Sequence, residues 1–233
     1  MRVGTGTVWR GLVPALVLGG ALTSCSGAAE ESTRPTARSS ATTAPGAPGT
    51  AAAASGGTIG AQGSACELPV TFDIAEDWKA EAVDSGTAGS AADGGPDGPS
   101  LSEEVADALL RQGPVTAVCE IDAKPAGNIG FLRVWTGEPA DTDARAVLEA
   151  FVTAEGDTSR ERYRPFRTAR VSGVEVEYLF TSRLLDETKK ERALAVTTTE
   201  GPVVLHLGGL DTEEHEQMVP AYELAKRTLR TPA

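Results

Sequence analysis

Forty consecutive residues, 26–65, are all Ala, Ser, Thr, Gly or Pro except for six, and Ile59 is the one large apolar side chain among them. A segment of that composition cannot bury enough apolar surface to offset the entropy of ordering it. It reads as a disordered tether over residues 25–65, which at coil dimensions spans on the order of 35 Å. The core of this 233-residue chain is thereby confined to residues 66–231, an ordinary size for a single domain. The chain carries 21 Lys and Arg against 33 Asp and Glu, a net charge of −12. A surface of that sign repels phosphates, so no nucleic acid is expected among the partners. No apolar run approaches the length of about eighteen residues that a membrane-spanning helix needs.

Residues 1–24 have the three-part form of a secretory signal: Arg2 and Arg10 charge the start, an apolar stretch covers 11–22, and small residues close it. The closing residues Leu22, Thr23, Ser24 and Cys25 resemble the bacterial lipobox. That resemblance implies removal of the signal peptide and attachment of diacylglycerol, with fatty acid such as palmitate, to Cys25. Two or three acyl chains would then hold the protein on the extracytoplasmic face of the cell membrane. The alternative is an ordinary signal peptide that happens to contain a cysteine. Cleavage leaves 19 basic against 33 acidic residues, a net of −14, so an anionic membrane would repel the folded part and a tether would hold it clear. The use of 16 Arg against 5 Lys, with much Ala and Gly, points to a GC-rich genome such as that of an actinobacterium.

With Cys25 assigned to lipid, Cys66 and Cys119 form an even pair in an oxidising compartment, and a disulfide between them is the default. Two buried free thiols are the alternative, since both cysteines stand in apolar, strand-like runs. Neither belongs to a Cys-x-x-Cys motif, so thioredoxin-type redox chemistry has no support.

Beyond the tether, Leu68, Val70, Phe72 and Ile74 alternate with polar neighbours as a half-buried strand does, and 78–83 reads as its partner. Residues 84–100 form a low-complexity insertion, after which Ser100 and Glu103 make a capping box for a helix through Leu109. Strands follow over 115–121 and 129–135. Ala144, Val147, Leu148, Phe151 and Val152 mark one face of a helix that Gly156 ends. Strands are then expected over 163–171, 174–180, 192–199 and 203–207, the last two joined at Glu200-Gly201. A closing helix starts at Asp211 and carries Met218, Ala221, Tyr222, Ala225 and Leu229 on one stripe, with Pro220 inside it to kink or divide it. Hairpin spacings and interspersed helices give an α+β class: an antiparallel sheet packed by helices.

The run from Val174 to Leu229, ending Ala225-Lys226-Arg227-Thr228-Leu229-Arg230, resembles the C-terminal half of PsbP-like domains. It is also similar to actinobacterial lipoproteins of the LpqN type. The similarity covers residues 66–230 by order of elements and about the last sixty by texture. It implies a PsbP-like α/β sandwich and a binding or assembly role. No site residue is carried over by it, and the insertion at 84–100 departs from a compact version of that fold.

Signatures of chemistry are sparse. There is no Gly-x-Ser-x-Gly elbow, no phosphate-binding Gly-Lys-Ser/Thr loop and no dinucleotide fingerprint. No catalytic residue and no cofactor is therefore expected. His206 and His215, with a nearby glutamate, are the residues from which a zinc site could be built, although one histidine on a sheet and one on a solvated helix is the plainer account. Asp93, Asp97, Gly98 and Glu104 stand at positions one, five, six and twelve of a calcium loop. Gly95 and Pro96 spoil that loop, and an acidic exposed insertion explains the same letters. Arg160, Arg162, Arg164, Arg167 and Arg170, offset by Glu161, give one segment a charge of +4 against −18 for the rest of the mature chain. On a regular strand Arg160, Arg162 and Arg164 share a face, where they could contact an anionic ligand. The same arginines, with Pro165, would also guard an edge strand against unwanted pairing.

The leading expectation is a lipid-anchored, non-catalytic binding module of the cell envelope, with an envelope protein, lipid or polymer as partner. An envelope-acting hydrolase using Asp211, Glu213, Glu175 or Glu177 as acid and base is the competing reading. A carrier holding an apolar ligand in an enclosed cavity is a third.

Overall fold

The computed structural model describes residues 52–83 and 110–231. The leader, most of the tether, the insertion at 84–100 and the capped helix after it lie outside these residues. So do Cys25, Asp93, Asp97 and Glu104.

The described residues open with a pair of short strands, β1 (Ser55–Ile59) and β2 (Phe72–Ala75), and then enter the main sheet at β3 (Lys79–Ala82). There follow β4 (Arg111–Gln112), β5 (Val115–Asp122), β6 (Gly130–Thr136) and helix α1 (Ala144–Glu155). The second half is β7 (Thr158–Arg167), β8 (Ser172–Ser182), β9 (Glu187–Thr198), β10 (Gly201–Gly209) and helix α2 (Thr212–Thr228). The main sheet is eight-stranded in the order β3-β5-β6-β10-β9-β8-β7, with β4 added on β5. Its ladders are antiparallel, as hairpin-length connections require. The expected α+β class, a sheet packed by helices, is the one observed.

Each face of the sheet has its own core. On one face Ile121, Leu132, Leu194, Leu205 and Leu207 pack against Met218, Tyr222 and Leu229 of α2 and against Ile59, Leu68, Val70 and Phe72 of the N-terminal segment. On the other, Trp135, Val176, Tyr178, Ala193, Ala195 and Val204 meet Val147, Leu148, Phe151 and Val152 of α1. Covered on both sides, β10 is buried at all nine of its positions, which accounts for its unbroken apolar run Val203-Val204-Leu205. Both helices begin as the capping rules demand: Asp143 Oδ1 accepts from Ala146 N at 2.8 Å, and Asp211 Oδ1 accepts from Glu214 N at 2.9 Å. Pro220 lies within α2, which runs through it as a single element. Gly201 opens β10 at φ +120°, where a Cβ would stand 2.0 Å from the Gly137 carbonyl oxygen.

The expected tether is corrected at its end. Residues from 52 onward belong to the domain: β1 pairs with β2, Ile59 is buried, and Ala53 N donates to the Pro220 carbonyl at 3.0 Å. Small residues can be ordered here because the backbone ladder and the packing of neighbours hold them, and composition registers neither. Gly60, at φ +100°, lets this segment pass so close to β2's approach that a Cβ would lie 1.9 Å from the Val70 carbonyl oxygen. A second correction concerns pairing. The partner of β2 is β1, whereas β3 joins the main sheet on β5.

Cys66 and Cys119 form a disulfide with Cα atoms 6.0 Å apart. It ties the N-terminal segment to β5 across 53 residues of sequence, in the chain-entropy picture a stabilisation of about 4 kcal/mol. Replacing both cysteines by alanine should lower the unfolding free energy by about that amount, which urea denaturation of the two proteins measures directly.

Candidate functional site

Strand and helix lengths leave part of the sheet beyond the reach of α1. At 12 residues, α1 is about 18 Å long. Strand β9, also 12 residues, extends to about 40 Å. On the face that α1 packs against, the register continues past the helix through Glu120 opposite Arg133, Gly208 opposite Phe131, and Lys189 opposite Phe180. Of these, Glu120, Phe131, Phe180 and Lys189 line a groove of about 500 Å³, open along the sheet, whose sides carry Ile129, Leu185 and Leu210. Those three side chains are 53%, 65% and 53% exposed, and Leu184 beside them is 93% exposed. Large apolar side chains gathered this way on a surface mark a contact site. Arg133 lies over the Phe131 ring at 3.9 Å and Lys189 over Phe180 at 5.7 Å, so cations cover the aromatic floor.

Where the groove meets the covered half of the face, a chain of polar groups runs into the core. Lys189, which lines the groove, binds Glu191 Oε1 at 2.8 Å and donates to the Gly209 carbonyl at 2.6 Å. Glu191 Oε2 lies 3.0 Å from His206 Nε2, and His206 Nε2 lies 3.2 Å from Tyr178 Oη. Tyr178 Oη donates to Glu155 Oε2 at 2.5 Å. Because the tyrosine hydrogen is directed to Glu155, the hydrogen between His206 and its neighbours must sit on Nε2. Glu191 and Tyr178 are each 1% exposed and His206 is 8% exposed. The Phe151 ring meets the imidazole edge-on at 5.5 Å.

Charges here depend on partners. Burial works against the charged form of both Glu191 and His206, but their hydrogen bond and mutual attraction, with Lys189 beside Glu191, outweigh it. The Glu191 carboxyl is held below its usual range and the His206 imidazole above its own. Glu155 goes the other way: burial raises its carboxyl, against the opposing pull of His206 and Tyr178. Burial also lifts the Tyr178 phenol well above its ordinary value. The ligand-type atoms of Glu155, Glu191 and His206 lie within 4.8 Å of one another.

The residues singled out in the sequence are distributed otherwise. His206 and His215 do not converge: His206 is on the α1 face of the sheet, and His215, on α2, is buried against the opposite face. Among the described residues neither ring nitrogen of His215 has a hydrogen-bond partner. Asp211 is the N-cap of α2 and Glu213 is exposed. Glu175 receives Lys226 Nζ at 2.8 Å and Glu177 receives Arg192 Nη2 at 2.6 Å, so these carboxylates serve ion pairs beneath α2. The arginine row is broken. A bulge separates Ser159 from Arg162, and Arg160 sits there at φ +59°. Arg162 and Arg164 stand opposite Glu177 and Glu175, whose carboxylates offset them. Among the described residues strand β7 ends the sheet on one side, the place where arginines and Pro165 would block further pairing. Sequence reading missed Glu155, Tyr178, Lys189 and Glu191. The available signal was the alternation Glu191, Ala193, Ala195, which puts the glutamate in register with inward-facing alanines.

The model of a family of uncharacterised lipoproteins matches residues 36–229. The chain belongs to that family. Among solved structures it is similar to the solution structure of cyanobacterial PsbP (CyanoP) from Synechocystis sp. PCC 6803, at 12% identity and a TM-score of 0.44, over 76% of this chain and 98% of that one. A comparison with curated proteins finds no match. Nothing about function, and no kinship to the LpqN type, follows from these likenesses.

His215 carries a consequence for stability. Burial, against the attraction of Glu191, lowers its imidazole to about 4. The unfolded chain protonates this residue near 6.5 and the folded chain only near 4, so stability is complete above 6.5 and declines as pH falls between those values. The loss should amount to about 3 kcal/mol at the acid end. A His215→Leu variant, unfolded by urea at a series of pH values, should lack this part of the acid-side slope.

Proposed function

We propose that this lipoprotein is a non-catalytic binding module of the cell envelope, held through lipidated Cys25 on the extracytoplasmic side of the membrane, and that it takes hold of a partner protein with the groove between the β5–β6 connection and the β8–β9 hairpin. The observation that carries this reading is the groove itself: an aromatic floor of Phe131 and Phe180 between exposed Ile129, Leu185 and Leu210. It opens along the sheet, whereas a carrier of an apolar ligand would enclose its cargo between layers. An apolar centre with charged residues Glu120, Asp122, Lys124 and Glu187 around it has the anatomy of a protein–protein contact. Membership of a lipoprotein family supports the anchor, and the lipobox-like residues Leu22 to Cys25 indicate where it would be attached.

A hydrolase acting on envelope material is a second reading, and one observation favours it. Glu155 and Glu191 flank a single histidine while their carboxyls are shifted in opposite directions, the condition under which one serves as acid and the other as base.

Three experiments test these assignments. Membrane fractions of the native host should yield the protein with diacylglycerol on Cys25 by intact mass, and Cys25→Ala should move it to the soluble fraction; an unmodified thiol in a membrane-bound protein would refute the anchor. Chemical cross-linking in cells should recover one stoichiometric protein partner, at least tenfold reduced by Ile129→Asp with Leu185→Asp, as expected on losing apolar anchors at the centre of an interface. Recovery unaffected by those substitutions would exclude the groove. A hydrolytic activity abolished by Glu155→Gln would overturn the non-catalytic reading.

A further inference from the structure

The buried cluster of Glu155, Glu191, His206 and Tyr178 is richer in charge than the packing of α1 on the sheet requires. Two carboxylates approach one imidazole at the edge of an otherwise apolar core, with Glu191 and Tyr178 1% exposed. Carboxylates buried this far call for cationic compensation. Lys189 compensates one oxygen of Glu191, Oε1, and leaves Oε2 turned to the imidazole. Among the described residues the Glu155 carboxylate accepts from the Tyr178 hydroxyl.

The donor set is one histidine nitrogen and two carboxylate oxygens, drawn from three separate elements: the C-terminal end of α1, β9 and β10. Nitrogen and oxygen ligands in that proportion suit a borderline divalent cation, and three protein ligands are the number that zinc takes when one position is left for solvent or a further ligand. Distances agree. A tetrahedral centre with bonds of about 2.1 Å places its ligand atoms about 3.4 Å apart. His206 Nε2 and Glu191 Oε2 are 3.0 Å apart and all three ligand atoms lie within 4.8 Å of one another, so small side-chain shifts reach that geometry. The supporting contacts are also present: Lys189 holds the second oxygen of Glu191, Tyr178 fixes Glu155, and Phe151 sets the plane of the imidazole. Cys66 and Cys119 are joined to each other, and His215 lies on the opposite face, so neither competes for an ion.

We propose that Glu155, Glu191 and His206 form a site for one divalent transition cation of the zinc class. On binding, the Nε2 hydrogen of His206 leaves to solvent as a proton, the imidazole keeps its hydrogen on Nδ1, and the freed Nε2 lone pair ligates the cation. The site lies behind Lys189 at the inner end of the groove, and it stands or falls independently of what the groove itself holds.

The test uses the full chain without an affinity tag and with Cys25→Ala, so that no free thiol binds metal. Calorimetric titration with zinc chloride should show one ion per chain and thermal unfolding should shift upward. Cobalt chloride should give visible absorption bands of a four- or five-coordinate ion. Glu155→Gln and His206→Gln should each weaken binding tenfold or more, whereas His215→Gln should leave it unchanged. If His206→Gln fails to fold by circular dichroism, Glu155→Gln, half-buried at the end of a helix, decides the matter. No saturable heat with zinc, or binding that survives Glu155→Gln, overturns the proposal. Because the readouts are metal affinity and spectrum, a negative result leaves the groove's role as a docking surface untouched.

Discussion

The main sheet is longer than the helix that covers one of its faces, and the arrangement of the candidate site depends on that mismatch. On the opposite face α2, with 17 residues, shares the work with the N-terminal segment, and the layer is complete. On the near face α1 stops at Gly156. Beyond it the strands continue with positions of the same parity that α1 does not cover. A sheet face left in this state is occupied either by polar residues or by a partner. Here Phe131 and Phe180 form the floor, Arg133 and Lys189 lie over the rings, and apolar side chains from three loops rise at the margins.

The buried polar chain occupies the boundary between the covered and bare halves of that face. Low dielectric strengthens each of its contacts and also makes each unpaired group costly, so the cluster is stable only as a set. Glu191 is the hinge of the set: one oxygen is committed to Lys189 at the groove and the other to His206 in the core. His215 illustrates the opposite solution on the other face, where an imidazole without partners stays neutral because burial disfavours its charge.

Local signals in the sequence performed as their physics dictates. The stripe Val147, Leu148, Phe151, Val152 and its Gly156 stop located α1 almost to the residue, because helix periodicity and termination are properties of neighbours in the chain. The Asp211 cap did the same for α2. Failures arose where the determining contact is remote. Residues 55–59 have the composition of a tether, yet backbone pairing with β2 and the burial of Ile59 draw them into the fold. The row Arg160, Arg162, Arg164 assumed a regular strand, and a bulge forced by the register with β8 removed Arg160 from it. Within the site, none of Glu155, Tyr178, Lys189 and Glu191 stood out, since each is unremarkable among its sequence neighbours and acquires its role from strands that are distant in the chain.

The sequence alone determined the class of the domain, the two helix faces, the edge character of the arginine-rich strand and the cysteine pairing expected of an oxidising compartment. These follow from periodicity, capping, charge pattern and count, all readable within a few residues or by simple tally. Tertiary structure decided which face α1 left bare, which two carboxylates share His206, and that His206 and His215 are separated by the sheet. Those outcomes rest on strand order and register. A shift of one residue would exchange the two faces, and only the packing of the whole sheet selects between them.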